Sequence, residues 1–127
     1  MDKIKKFVSS EVVNKPIQLV YCSGELERND RIVYNYFLTI VENFFYKENN
    51  TYDRDKYYRF YTTMNEIYNK TQISHTNIKS SIKRLFEKYL VINLLEKETR
   101  VQLIGTIEIE QDNKIEIVFM NNIIELI

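Results

Sequence analysis

Between positions 74 and 88 the chain gathers hydroxyls, amides and cations: Ser74, His75, Thr76, Asn77, Lys79, Ser80, Ser81, Lys83, Arg84 and Lys88. Arg and Asn can address base edges through paired hydrogen bonds, while Lys and Ser hold phosphates. Asn77, Ser81, Arg84 and Lys88 recur at steps of three and four, which predicts one shared helical face. Thr71, Ser74, His75 and Thr76 fall at the predicted turn and helix start, where hydroxyls and free N–H groups suit an anion. Ser74 acting as a helix cap accounts for the same position, and the two roles are compatible. A merely solvated helix face is the ordinary alternative for the rest. The chemistry this set predicts is contact with double-stranded DNA.

Other chemistry finds little support. His75 is the single histidine, which excludes a nickase that pairs two metal-binding histidines with a catalytic tyrosine. Tyr57, Tyr58 and Tyr61 then read as strand and core residues rather than nucleophiles. Gly24 and Gly105 stand alone, so no glycine loop cradles a phosphate. Glu108, Glu110 and Glu116 alternate along a strand pair and read as the wet face of a hairpin, not a metal cage. Cys22 reads as a small buried apolar side chain. The expectation is a non-enzymatic protein with no cofactor, no metal and no small-molecule substrate.

The elements that position the polar cluster follow from periodicity. Met64, Ile67 and Tyr68 give one short helix an apolar face, Ile73 plugs a turn, and Ile78, Ile82, Leu85, Phe86 and Tyr89 give the next helix another. Thr63 with Glu66 forms a capping-box pattern. Upstream, a long helix is predicted from about Glu25 to Tyr46, with Ile32, Val33, Tyr36, Phe37, Ile40, Val41, Phe44 and Phe45 as a broad stripe. Val12 to Tyr21 reads as extended because Pro16 bars a helix interior, and residues 1–11 as a flexible arm or short helix. Residues 47–56 are a polar loop, and Tyr57 to Thr62 a short aromatic strand. Downstream come strands at Val91 to Leu95, Arg100 to Glu110 and Ile115 to Phe119, with turns at 96–99 and 111–114 and a bulge or bend at Gly105. Asn121 or Asn122 would cap a terminal helical stub. This order predicts an α+β winged helix, a helix-turn-helix with a β-hairpin wing, preceded by a long core helix and filling residues 1–127 as one domain.

Composition narrows the setting. The chain has 127 residues and zero formal net charge. Residues 51–90 nevertheless carry eight Lys/Arg against four Asp/Glu, and residues 91–127 carry three against seven. Local density of cations, not overall basicity, is what a phosphate surface needs. The acidic hairpin is expected to avoid DNA and to serve packing or a second subunit. Candidate dimer residues are Tyr57, Tyr58 and Phe60 on the aromatic strand and Ile115, Ile117 and Phe119 on the last strand. No apolar run is long enough to span a membrane, the N-terminus lacks a signal-peptide core, and one cysteine excludes an intrachain disulfide. A reducing, cytoplasmic setting is expected.

The segments VVNKPIQLVY followed by LERNDRIVYNYFLTIV, and VQLIGTIEIEQDNKIEIVFMNNIIELI, resemble the first winged-helix domain of plasmid replication initiators that carry two winged helices in tandem. The resemblance runs over roughly residues 12–127. It implies a domain that dimerises and adds phosphate or minor-groove contacts at origin repeats, with dimers repressing and monomers initiating. A second winged helix, usual in that family, would begin beyond Ile127. A one-domain winged-helix transcription regulator and a winged helix that binds only protein are the competing expectations.

Overall fold

The computed structural model describes residues 18–22, 25–94 and 97–126. The expected arm at residues 1–11 and the side chain of Cys22 lie outside that description.

The first strand, β1 (Gln18–Cys22), precedes helix α1 (Arg28–Glu42), whose last turn widens into a π turn at Asn43–Lys47. The amide of Glu48 bonds Asn43 O at 3.0 Å, closing that wide turn. Val33, Tyr34, Phe37, Leu38 and Val41 form the buried face of α1; against the predicted stripe it is rotated, with Tyr34 and Leu38 buried and Ile32, Tyr36, Ile40, Phe44 and Phe45 only half-buried. Strand β2 (Arg59–Thr63) leads directly into helix α2 (Met64–Thr71). Thr63 caps α2 by accepting the Glu66 amide at 3.0 Å. The Glu66 carboxylate turns to Thr62 at 3.1 Å rather than back to the cap. Gln72 closes α2 in the left-handed region, at φ 62°, a conformation that glycine adopts more cheaply. Ile73 is buried in the turn as expected. Tyr68, however, stays largely exposed, so the core side of α2 is Met64 and Ile67 alone. Ser74 caps helix α3 (His75–Phe86) by accepting the Asn77 amide at 3.3 Å.

Helices α1, α2 and α3 pack on one another. Strands β3 (Tyr89–Leu94) and β4 (Lys97–Gln102) follow α3 as an antiparallel hairpin. β1 adds to the other edge of β3, giving the sheet order β1-β3-β4. Helix-turn-helix plus trailing hairpin is the α+β winged helix expected from the sequence.

The strands after α3 depart from the expectation. Leu94 pairs with Lys97, so residues 97–99 belong to a strand and not to a turn. The single long strand expected from Arg100 to Glu110 is two strands in two sheets: β4, and β5 (Thr106–Ile109), which pairs with β6 (Lys114–Val118). β2 pairs with β6 from the other side, so the second sheet runs β2-β6-β5. Leu103 extends the first sheet through its amide to Lys88 O at 3.2 Å, and Gly105 opens the second through its amide to Val118 O at 2.9 Å. Leu103 and Ile104 are consecutive and both fully buried, because the chain passes through the core there. The Tyr34 hydroxyl donates to Leu103 O at 2.7 Å and pins the passage to α1. A Cβ on Gly105 would stand 2.8 Å from Val118 O, so close approach requires the glycine.

A last helix, α4 (Asn121–Leu126), packs Ile123 and Ile124 into the core. Asn121 does not cap it. Its side-chain amide donates to Arg54 O and Lys56 O at 2.9 and 3.0 Å, tying down the polar loop. Phe44, Phe45, Tyr52, Tyr58 and Phe60 form a continuous ring cluster beneath that loop. Among the described residues no helix is long and apolar enough to cross a membrane.

Candidate nucleic-acid interface

Helix α3 carries its apolar side inward through Ile78, Ile82 and Leu85. Turning by about 100° per residue, the opposite side then falls on Thr76, Lys79, Ser80 and Lys83, all exposed. Ser74 and Asn77 are exposed beside them. The Ser80 hydroxyl donates back to Thr76 O at 3.1 Å, so its proton is engaged within the helix. His75 is half-buried, its ring edge-on to Tyr68 at 6.2 Å. Lys70 of α2 is exposed, Lys88 beyond the helix is half-buried, and Glu87 closes the stripe with an opposing charge.

Two residues of the expected contact set sit elsewhere. Ser81 is fully buried, because it lies between Ile78 and Leu85 on the core side. Arg84 reaches across to α1 while its side chain stays 34% exposed. Its Nε donates to both carboxylate oxygens of Asp30 at 3.0 and 3.1 Å, and its Nη2 to Oδ1 at 2.8 Å. Nη2 also reaches Ser81 Oγ at 3.3 Å and Glu27 at 3.3 Å. Hydrogen bonding to Asp30 raises the Arg84 pKa further above its ordinary range. Asp30 is only 1% exposed and also accepts the Glu27 amide at 3.3 Å, so it closes the first turn of α1 while fixing α3. The predicted face of Asn77, Ser81, Arg84 and Lys88 is therefore rotated. The outward stripe is Thr76, Lys79, Ser80 and Lys83, and the half-exposed arginine is paired with Asp30. Sequence spacing along α3 could not show a partner 54 positions away. A buried aspartate in the first turn of α1 was the missed signal, since such a group requires a cation.

The expected dimer residues divide in the same way. Phe60, Ile115, Ile117 and Phe119 are buried in the monomer's own core, so they hold the β2-β6-β5 sheet against the helices and are not available to a partner. Tyr58 is half-buried in the ring cluster, stacked with Tyr52 at 5.9 Å. Tyr57 remains at the surface, 84% exposed, and Tyr61 on the outer face of β2 is 64% exposed.

The acidic hairpin is β5–β6, which belongs to the second sheet. The wing that follows α3 is β3–β4, where Lys97 and Arg100 accompany Glu98. Arg100 pairs with Glu98 at 3.1 Å and lies over the Tyr89 ring at 5.6 Å. The carboxylates expected on the wing thus lie on a different hairpin from the one that follows α3. Glu66, Glu108, Glu110 and Glu116 instead surround a shallow recess on the outer face of the second sheet. Among the described residues no group of three or more His, Cys, Asp or Glu side chains is disposed to hold a metal ion.

No protein-family model matches the sequence, and no curated protein matches it either. Among solved structures, the chain is similar to the crystal structure of the WH1 domain of MSBI1.176, a replication protein isolated from a multiple sclerosis patient. The two share 12% identity over 75% of this chain and 83% of that one, with a TM-score of 0.47.

Proposed function

We propose that this chain is a non-enzymatic DNA-binding module of a plasmid replication initiator, acting as a homodimer in the cytoplasm. The observation that carries DNA binding is the outward stripe of α3: Thr76, Lys79, Ser80 and Lys83 stand exposed on the second helix of a helix-turn-helix, where such domains place their contacts in the major groove. Lys70 and the mixed-charge wing β3–β4 flank it. The initiator assignment draws on the sequence segments that resemble that family, and DNA binding alone fits a one-domain transcription regulator equally. An origin with iterated repeats near the coding sequence favours initiation, and a divergent promoter favours regulation.

With Arg84 occupied by Asp30, few cations remain for phosphates. About three such contacts give a logarithmic salt slope of about −3, shallow for a repressor. The test is duplex binding measured across a salt series. Replacing Lys79 and Lys83 together by Ala should weaken binding and flatten the slope by about 2. An unchanged slope would remove α3 from the interface. The zero net charge favours a second reading, a winged helix that binds only protein, and an absence of salt-sensitive DNA binding would select it. For the dimer, Tyr57 and Tyr61 are exposed aromatics at and beside β2 that a partner could cover. Tyr57→Ser with Tyr61→Ser should shift sedimentation toward monomer.

A further inference from the structure

The π turn at the end of α1 and the loop that follows enclose a recess which DNA recognition does not use. It holds about 320 Å³ and is lined by Phe45, Tyr46, Asn50, Tyr52, Ile124 and Glu125. The Phe45 and Tyr52 rings lie 5.8 Å apart at 75°, so they meet as a corner rather than a parallel stack. Tyr58 stacks with Tyr52, and the Tyr52 hydroxyl donates to Glu125 Oε1 at 2.8 Å. Ring and carboxylate are thereby held in place before any ligand arrives. Tyr46 stands at the rim, 65% exposed, and the Asn50 side chain is fixed by donating to Phe44 O at 2.9 Å. Burial and the neighbouring Glu125 carboxylate push the Tyr52 phenol up to about 12.

These walls select a charge type. Aromatic faces are electronegative, and a carboxylate beside them adds a full negative charge, so anions are disfavoured. A hydrated metal ion would have to exchange water oxygens for carbon walls. A neutral apolar group would gain nothing from Glu125. An ammonium centre clothed in methyl groups is weakly hydrated and matches both the rings and the carboxylate. We propose that this recess binds an alkylated ammonium group, such as that of choline or of a methylated lysine side chain. Arg54, whose charge reaches the Tyr52 phenol, opposes the cation at longer range.

The test is a titration of the whole chain with tetramethylammonium chloride, followed through the tyrosine ring resonances, with tert-butanol as a neutral group of similar shape. Saturable shifts of Tyr46 and Tyr52 are expected for the ammonium alone. Tyr46→Ala and Glu125→Gln should each weaken binding about 3-fold, and Arg54→Ala should tighten it. Choline and an Nε-trimethyllysine amide, compared next, distinguish a free metabolite from a protein side chain by which binds more tightly. Equal binding of tert-butanol, no saturable shift, or indifference to both weakening variants would overturn the proposal. None of these outcomes depends on whether α3 binds DNA.

Discussion

On hairpin β3–β4, Lys97 and Arg100 stand with Glu98, and Arg100 is engaged both by that carboxylate and by the Tyr89 ring. On hairpin β5–β6, Glu108 lies directly across from Glu116, like charges on opposite strands, with Glu110 one step beyond. Arg59 offsets Glu116 at 3.4 Å from an exposed position. Both hairpins are antiparallel pairs, yet only the first is electrostatically fit to lie near phosphates. Charge therefore differs by hairpin: β3–β4, which follows α3, carries Lys97 and Arg100 with Glu98, whereas β5–β6 carries Glu108, Glu110, Asp112 and Glu116 against Lys114.

The largest effect is expected at Arg84, which a charge count assigns to the DNA side and the structure ties to the buried Asp30. Arg84→Ala strands the buried Asp30 carboxylate and should destabilise the protein by about 3 kcal/mol or more. Lys83→Ala, one residue away and exposed, should stay within about 0.5 kcal/mol. Denaturant melts of both variants check this, and equal small effects would mean that Asp30 does not depend on Arg84. Next is the passage between the sheets. Gly105→Ala sets a methyl against Val118 O and should cost about 1–3 kcal/mol, with hydrogen exchange rising first in β5 and β6. A smaller effect is expected at the acidic hairpin itself. Glu108→Gln should stabilise by about 0.5 kcal/mol by relieving the pair with Glu116 and leave DNA affinity unchanged, whereas Arg100→Glu on the other hairpin should weaken it. The finest test is pH. Folding raises the Tyr52 pKa from 10.0 to about 12, so it favours the neutral phenol. That contribution is complete below pH 10 and is lost as pH rises through about 12. Tyr52→Phe should make the alkaline loss of stability less steep than in the unaltered protein.

Much of this was legible from residues alone. Thr63 and Ser74 announced the starts of α2 and α3, and both cap as their types imply. The stripe through Val33, Phe37 and Val41 announced α1. What stayed hidden was relational. The direction of Arg84 is set by Asp30 on another helix, and helical periodicity tolerated Ser81 on either side because serine is small. The break between β4 and β5 was hidden because Leu103 and Ile104 look like continued strand. Only Gly105 hinted at the bend, and nothing nearby said that the next strand joins another sheet. Phe60, Ile115, Ile117 and Phe119 suited an interface by type, but a core that must bury them within the monomer has first claim on them.

The passage at Leu103–Gly105 also limits how this chain can vary in length. One residue inserted between Gln102 and Thr106 would turn β5 over, sending Glu108 toward the interior and Ile107 into water, so that site should reject single-residue insertions.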